Sequence, residues 1–160
     1  MVDNANIVLE QEIRGQGLFV NRYVHSLDPK KRLTIPSGWR AQVGEPRSLY
    51  VLPDIHQRCL CVFPAGELVK RLEKMREHSI ADEKARHFAR VLGSKSDLVA
   101  WDSQGRIRIK DELLNFAGLE SRVVLVGAID MFELWKPENL ESVVEDEGGG
   151  LAEAAKYVGF

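Results

Sequence analysis

Cysteine is scarce in this sequence, and long apolar runs are missing. The two cysteines, Cys59 and Cys61, are separated by a single residue, which is poor geometry for a disulfide, so we interpret them as reduced thiols in the core. The longest apolar stretch, VVLVGAI from Val123, is far too short to span a bilayer. The first residues contain no basic segment that leads into an apolar one, which indicates no secretory signal. These absences predict a cytoplasmic protein.

Motifs for catalysis and metal binding are missing as well. The sequence has no glycine-rich phosphate-binding loop and no nucleophile motif. An aspartic protease needs an aspartate followed by Ser or Thr and then Gly, whereas Asp102 is followed by Ser103 and Gln104. The four histidines form no ligand pair that would complement the C-x-C segment at Cys59. We therefore predict a protein without enzymatic activity, cofactor or metal ion.

Acidic residues are rare between Arg14 and Arg47, and basic residues are rare near the end of the chain. Between Arg14 and Arg47 there are seven basic residues and two acidic ones, whereas from Pro137 onward there are six acidic residues and one lysine. A basic lobe with an acidic tail suits a polyanionic partner. A lopsided solvated surface explains the charges equally well, so the charge distribution alone does not identify a partner.

The chain repeats itself at a spacing of 74 residues. The matching pairs are Asp28 and Asp102, Arg32 and Arg106, Ile35 and Ile109, and Gly44 and Gly118. In the last strand of each copy the spacing falls to 72, because the first copy has a longer loop at 54–58. There CLCVFP, from Cys59, lies opposite MFELWK, from Met131. An ordered series through a turn, strands and a helix cap indicates an internal duplication.

Each copy predicts a short strand, a turn that begins at aspartate, a second strand, a short helix and a β-hairpin. Two such halves are expected to close a common pseudo-two-fold β-barrel with the helices outside it, because closure removes exposed strand edges. The predicted fold class is mainly β with α decoration. The expected divisions are an N-terminal extension at 1–18, the first repeat at 19–64, a helical connector at 65–96, the second repeat with a terminal helix at 97–145, and a flexible tail at 146–160.

The turn that begins at Asp28 is a candidate site. The residues Asp28-Pro29-Lys30-Lys31 suit a type I turn, and the second copy has Gly105 at the fourth position, where a left-handed residue is usual. A lysine in that conformation costs about 1–2 kcal/mol relative to glycine. Lys31 either accepts this cost, which often marks a functional position, or adopts a different turn.

An arginine follows each of the two repeated aspartates after four residues. An ion pair across so tight a loop, Asp28 with Arg32 and Asp102 with Arg106, would hold the guanidinium in one orientation. A guanidinium held in this way suits a phosphate or the O6/N7 edge of guanine. The alternative is an ion pair inside the loop that serves the fold alone.

Residues 22–36, RYVHSLDPKKRLTIP, resemble the opening of MraZ proteins, which are bacterial transcriptional regulators of the division and cell-wall operon. Residues 102–107 resemble the second D-x-x-x-R turn of that family, and residues 117–119, 123–127 and 132–135 resemble its C-terminal half. The resemblance implies two AbrB-like swapped-hairpin halves, assembly of subunits into a ring, and DNA binding through the turns. The family's usual K-G-R is Lys30-Lys31-Arg32 here.

From the turns and this resemblance we predict a sequence-specific DNA-binding transcriptional regulator, cytoplasmic and nucleoid-associated, of the division and cell-wall gene cluster including its own gene. A ring-like homo-oligomer would present repeated basic loops to repeated boxes in promoter DNA. The predicted DNA contacts are Arg22, Lys30, Lys31, Arg32 and Arg40. Asp28, Asp102 and Arg106 are predicted to organise the turns, the second of which serves the fold more than the DNA. The alternative is an antitoxin-like or scaffolding protein of the same fold that mainly binds a partner protein.

Overall fold

The computed structural model describes residues 18–79, 81–146 and 150–160. The strands in these ranges are β1 (Arg22–Ser26), β2 (Arg32–Thr34), β3 (Ser48–Pro53), β4 (Leu60–Pro64), β5 (Asp97–Ala100), β6 (Arg106–Arg108), β7 (Arg122–Gly127) and β8 (Phe132–Trp135). The helices are α1 (Ser37–Val43), α2 (Ala65–Arg76), α3 (Glu83–Lys95), α4 (Asp111–Ala117), α5 (Pro137–Asp146) and α6 (Leu151–Val158). The N-terminal extension up to residue 17 lies outside the described residues, as do Gly148 and Gly149.

The predicted order of elements is confirmed in both copies. The first copy runs β1, β2, α1, β3, β4, and the second runs β5, β6, α4, β7, β8, with α2 and α3 between them. Each short helix ends at a glycine with positive φ, Gly44 at 74° and Gly118 at 67°. These angles are costly for residues with a side chain, which explains why glycine recurs at this point of the repeat.

The two copies exchange strands. The main sheet has six antiparallel strands in the order β1-β7-β8-β4-β3-β5, and β2 pairs with β6 in a second sheet. The first strand of each copy therefore pairs with the third strand of the other copy, β1 with β7 and β5 with β3. The second strands pair with each other across the duplication. The order of the strands reads the same from either end of the main sheet when the copies are interchanged, so the duplication has become a pseudo-symmetric arrangement.

The expectation of a closed barrel is wrong. The main sheet is open, with β1 at one edge and β5 at the other, and β2 and β6 form a sheet of their own. The turn that follows each aspartate carries the chain out of the main sheet. The backbone N–H and C=O groups of β2 then form hydrogen bonds with β6. As a result, β2 does not connect β1 to β5 in a closed sheet. The coarser prediction of a mainly β fold with added helices is confirmed.

The core includes the inner face of the β2–β6 sheet. Leu33 and Ile107 lie opposite each other in this ladder, and both are fully buried in the same cluster as Val62 and Leu125 of the main sheet. Burying each such side chain contributes about 1.5–3 kcal/mol. Because side chains alternate along a strand, burial of the central residues turns the residues on either side of them outward.

Part of the main sheet is covered by the connector between the copies. Leu68 of α2 packs in a second buried cluster with Leu52, Cys61 and Phe63. Among the helices in the described ranges, none combines the length and apolar character that a membrane span requires.

Candidate nucleic-acid interface

The aspartate of the first turn organises the whole loop. Asp28 Oδ1 accepts hydrogen bonds from the backbone N–H groups of Lys30 (2.9 Å) and Arg32 (2.8 Å). Its other oxygen, Oδ2, accepts a bond from Arg32 Nε at 2.6 Å. The loop is closed by two backbone bonds, from Lys31 N to Asp28 O (2.9 Å) and from Asp28 N to Arg32 O (3.0 Å). The carboxylate thus fixes both the backbone of the turn and the direction of the guanidinium.

The second turn has the same geometry. Asp102 Oδ1 accepts from the backbone N–H groups of Gln104 (2.9 Å) and Arg106 (3.0 Å), and Oδ2 accepts from Arg106 Nε at 2.9 Å. Gly105 N donates to Asp102 O at 2.9 Å, which matches the bond made by Lys31 in the first turn. The prediction that a D-x-x-x-R turn recurs is confirmed down to individual hydrogen bonds.

The fourth position of each turn is left-handed. Gly105 has a φ of 79°, and Lys31 has a φ of 60°. The first of the two alternatives for Lys31 is therefore the correct one, and the lysine carries the conformational cost that glycine avoids in the second turn.

The two turns are joined by backbone hydrogen bonds. The carbonyl of Gly105 accepts a bond from Ile35 N at 2.8 Å, and the carbonyl of Lys31 accepts one from Ile109 N at 3.4 Å. Each left-handed residue thus holds the end of the other copy's return strand. Each turn is therefore tied to the strand that follows the turn of the other copy.

Three arginines share the outer face of the β2–β6 sheet. In this ladder Arg32 lies opposite Arg108, and Thr34 lies opposite Arg106. The residues between them, Leu33 and Ile107, face the core, so these four side chains face outward. The basic residues of the second turn are therefore placed beside those of the first. We call the outer face, with Lys30 and Lys31, the basic face.

Carboxylates neutralise part of the basic face. Lys31 Nζ donates to Asp111 Oδ1 at 2.8 Å, and Arg108 Nη2 lies 3.5 Å from the same oxygen. Arg108 also donates through Nη1 to the carbonyl of Ile109. Arg106 Nη1 lies 4.0 Å from Asp28 Oδ2, so this guanidinium faces the carboxylates of both turns. In contrast, the ammonium of Lys30 is exposed and makes no hydrogen bond or ion pair with any described residue.

The aspartates of this region remain ionised at neutral pH. The Arg32 backbone N–H, together with its guanidinium, lowers the pKa of Asp28 below its ordinary value. The Arg106 N–H, aided by that of Gln104, lowers the pKa of Asp102 in the same way. The hydrogen bond and charge of Lys31 lower the pKa of Asp111.

Two of the predicted DNA contacts, Arg40 and Arg22, lie outside the β2–β6 sheet. Arg40 of α1 donates through Nε to the carbonyl of Ile35 at 3.2 Å, and its guanidinium packs over Gly105, where an added Cβ would lie 2.5 Å from Arg40 Cζ. Arg40 is thus placed against the second turn. Arg22 is exposed at the start of β1, about 13 Å along the strand from Ser26, which precedes the turn by two residues.

Sequence reasoning assigned no role to Arg108, Asp111 or Arg122. Arg122 is exposed and lies opposite Ser26, close to the first turn. The alternation of RIR in β6 was the only available sign that Arg108 faces outward. The positions of Asp111 and Arg122 follow from pairing between the copies, for which the local sequence carries no signal. Residues that could hold a metal ion lie elsewhere, around Cys59 and Cys61.

Comparison with known proteins agrees with the resemblance of the two turns. Residues 94–155 match the model of a family described as "MraZ protein, putative antitoxin-like". A protein of Thermomicrobium roseum named transcriptional regulator MraZ is 35% identical over 139 residues, which cover 85% of this chain and 96% of the relative. This chain belongs to the MraZ family.

Two further relatives with the same name support the MraZ assignment. The protein of Corynebacterium jeikeium is 36% identical over 122 residues, which cover 76% of this chain and 83% of the relative. The protein of Finegoldia magna is 31% identical over 129 residues, which cover 81% of this chain and 88% of the relative. The similarity to MraZ proteins therefore extends over both copies of the duplication.

Proposed function

We propose that this protein is a transcriptional regulator that binds double-stranded DNA through the basic face. The observation that carries the proposal is the pairing of β2 with β6, which places Arg32, Arg106 and Arg108 on one outer surface next to Lys30 and Lys31. The name transcriptional regulator, shared by relatives that match most of the chain, supports the same function.

Arg32 is the residue that reads the DNA. Its Nε is held by Asp28 at 2.6 Å, and this bond leaves the two terminal nitrogens of the guanidinium in a fixed direction. A fork held in this way forms a bidentate contact with a phosphate or with guanine O6/N7 at a smaller entropic cost than a flexible lysine. Lys30 and Lys31 act beside it as phosphate contacts, which strengthen binding to any sequence.

The other arginines of this region have secondary roles. Arg40 supports the second turn by packing over Gly105, and Arg22 contacts phosphates only where the DNA extends along β1. Arg106 stabilises the basic face, because its guanidinium faces both Asp102 and Asp28. Arg108 joins the contact surface when DNA phosphates compete with Asp111 for its guanidinium.

Binding to repeated DNA boxes requires several basic faces in one assembly. Val24 of β1 and Leu98 of β5 occupy equivalent positions in the two copies, and they are 48% and 55% exposed on the two edge strands of the main sheet. We propose that one edge of a subunit contacts the opposite edge of the next, which closes a ring. Linked faces then bind cooperatively through their high effective concentration.

The same proposal includes the type of repeat, the location of the protein in the cell and the genes that it regulates. The exchange of strands between copies supports two AbrB-like swapped-hairpin repeats at 19–64 and 97–145, with the connector at 65–96 and end segments at 1–18 and 146–160. We place the protein in the cytoplasm on the nucleoid, as a non-enzymatic regulator of the division and cell-wall cluster that includes its own gene.

A second candidate function is the binding of a partner protein, as the antitoxin-like family description suggests. Helix α6 favours it, because Leu151, Tyr157 and Phe160 at this end of the chain are almost fully exposed. The two functions are compatible, since α6 and the basic face are separate in sequence and use different chemistry.

Fluorescence anisotropy tests the DNA-binding proposal. The probe is a duplex from the region upstream of the protein's own gene, compared with a scrambled duplex at two salt concentrations. Arg32→Ala is expected to weaken binding to the specific duplex by 10-fold to 100-fold, about 1–3 kcal/mol, with a smaller effect on the scrambled one.

Arg90→Ala is the matched control, because Arg90 is an exposed arginine of α3 outside the basic face. It is expected to bind like the wild type. Equal affinities of the Arg32 and Arg90 variants, both folded by circular dichroism, would contradict the assignment of Arg32. Failure of the wild type to prefer the upstream duplex would contradict sequence-specific regulation of its own gene.

A further inference from the structure

Four side chains with metal-binding atoms converge at the end of the β3–β4 hairpin. They are Asp54, Cys59, Cys61 and Glu133, and one ligand atom from each lies within 4.8 Å of the others. The two cysteines are buried, with exposures of 0% for Cys59 and 8% for Cys61, while the carboxylates are partly buried at the rim. The cluster is separate from the basic face in both its residues and its chemistry.

Strand pairing brings these residues together. Cys61 of β4 lies directly opposite Glu133 of β8, and Cys59 points to the same side because it is two residues earlier in the chain. The longer loop of the first copy begins at Asp54, whose backbone N–H donates to the carbonyl of Cys59 at 2.9 Å. Three of the four residues come from the first copy and one comes from the second.

Each carboxylate directs one oxygen toward the thiols. Asp54 Oδ1 lies 3.1 Å from Cys61 Sγ, while its Oδ2 accepts from the backbone N–H groups of His56 (2.8 Å) and Gln57 (2.7 Å). Such outer bonds orient a carboxylate for binding through the remaining oxygen.

Glu133 repeats this arrangement. Its Oε2 lies 3.9 Å from Cys59 Sγ, and its Oε1 accepts a bond from Trp135 Nε1 at 3.2 Å. Two thiols and one oxygen from each carboxylate are thus arranged around one point.

Within the described residues, the charge of Asp54 is not neutralised by an ion pair. This carboxylate forms no ion pair with any residue of the described part of the chain, and the neighbouring Arg71 is paired with Asp130. A groove of about 430 Å³ beside α2 and α3 is lined by Asp54, Cys61 and Glu133, and it opens to solvent. A small cation therefore has both an attractive charge and an access path.

We propose that Asp54, Cys59, Cys61 and Glu133 form a tetrahedral structural site for a divalent cation of the zinc class. Zinc binds sulfur at about 2.3 Å and carboxylate oxygen at about 2.0–2.2 Å, which requires ligand atoms roughly 3.3–3.8 Å apart. The cluster needs to contract by about 1 Å, which side-chain rotation supplies. The two thiols release their protons to solvent as they bind as thiolates. Through these ligands the bound ion links the loop at 54–58 and the β3–β4 hairpin of the first copy to β8 of the second copy.

Cobalt(II) is a spectroscopic probe of this site in the full-length reduced protein. Titration is expected to give a thiolate-to-cobalt absorption band and the visible bands of tetrahedral cobalt, saturating at one ion per chain and lost on addition of zinc. Cys59→Ser, Cys61→Ser and Glu133→Gln are expected to weaken binding at least 100-fold. His56→Gln is the matched control, because His56 lies in the same loop but outside the cluster, and it is expected to bind normally.

Folding is checked by measuring circular dichroism and DNA affinity of each variant. If the serine variants do not fold, the wild type alone decides, since zinc at saturation is expected to slow alkylation of the two thiols at least 10-fold. Absence of the cobalt bands, or equal binding by Glu133→Gln and His56→Gln, overturns the proposal and leaves a cluster of thiol–carboxylate hydrogen bonds. DNA affinity without added metal reports on the basic face independently of this outcome.

Discussion

Lys31 Nζ donates a 2.8 Å hydrogen bond to Asp111 Oδ1 across 80 residues of sequence. The lysine belongs to the first turn, and the aspartate begins the short helix α4 of the second copy. Lys31 also occupies a left-handed backbone conformation that disfavours a lysine. The pair is exposed, so it offsets only part of that cost. A residue that costs stability where glycine would not is better explained by a role in binding.

Lys31→Gly is expected to raise the free energy of unfolding by about 1 kcal/mol. Relief of the backbone cost is worth about 1–2 kcal/mol, and loss of an exposed ion pair about 0–1 kcal/mol. The same variant is expected to reduce the salt dependence of DNA binding by about one phosphate contact. Urea unfolding and anisotropy at several salt concentrations measure these effects. Asp111→Asn is the control that removes the ion pair with Lys31, together with that of Arg108, but keeps the left-handed lysine. A glycine variant less stable than this control would contradict the explanation.

Gly105→Ala is expected to have the opposite effect on stability in the second turn. The residue has a φ of 79°, and the new Cβ would lie 2.5 Å from Arg40 Cζ. The flexible end of Arg40 can move aside, so the backbone cost of about 1–2 kcal/mol remains as the main loss. Urea unfolding of Gly105→Ala and of Gly38→Ala, at a helical glycine with open space around it, makes the comparison. Equal stability of the two variants would show that the left-handed position is not costly.

Arg106→Ala is expected to affect folding more than DNA binding, whereas Arg32→Ala is expected to do the reverse. Arg106 faces the carboxylates of both turns, and its removal leaves Asp28 and Asp102 near each other with less positive charge between them. Thermal unfolding measures the melting temperature of each variant, and anisotropy measures its DNA affinity. A larger loss of DNA affinity for Arg106→Ala than for Arg32→Ala would exchange the roles proposed for the two turns.

Stability is expected to fall in acid partly because of the two turn aspartates. Their pKa values are lowered in the folded protein by backbone N–H groups and by the arginines, so each carboxylate binds its proton less readily than in the unfolded chain. This contribution is complete above the unfolded value of about 3.9 and is lost as the pH falls through the folded value. The melting temperature of Asp102→Asn is therefore expected to decline less than that of the wild type below about pH 4. Parallel curves for the two proteins down to about pH 2.5 would argue against this source of stability.

Leu98→Lys is expected to dissociate the proposed ring. Leu98 is exposed on edge strand β5, and a charged residue there opposes burial against a neighbouring subunit. Sedimentation velocity or light scattering measures the mass of the assembly. Ile55→Lys is the matched control, because Ile55 is an exposed apolar residue in the loop between β3 and β4, outside the two edge strands. An unchanged mass for the Leu98 variant would place the subunit interface elsewhere.

The local parts of the site could be predicted from sequence because they depend on neighbouring residues. The bonds from Asp28 to Lys30 and Arg32 span at most four positions, and residue types alone indicate such a turn. The duplication then predicted the same loop at Asp102, which is confirmed. The strands and the two connector helices were predictable for the same reason, since their apolar spacing is local.

Features that depend on pairing between the copies could not be predicted. The residues of β2 do not indicate that this strand pairs with β6. The local sequence pattern was equally compatible with a closed barrel. The position of Arg108 opposite Arg32 follows only from that register. The cluster around Cys59 escaped notice because its fourth member, Glu133, is 74 residues away and belongs to a different strand. Sequence patterns favoured two core thiols, and β4–β8 pairing added the carboxylate.

The pairing of β1 with β7 also governs how the chain acquires its structure during synthesis. Tyr23 lies opposite Leu125, so about 100 further residues are synthesised after β1 before its partner strand leaves the ribosome. At about 5–20 residues per second, this delay lasts roughly 5–20 seconds. The strand β3 likewise lacks β5 until the connector has emerged. Neither half of the duplication therefore has all of its strand partners until the other half has been synthesised.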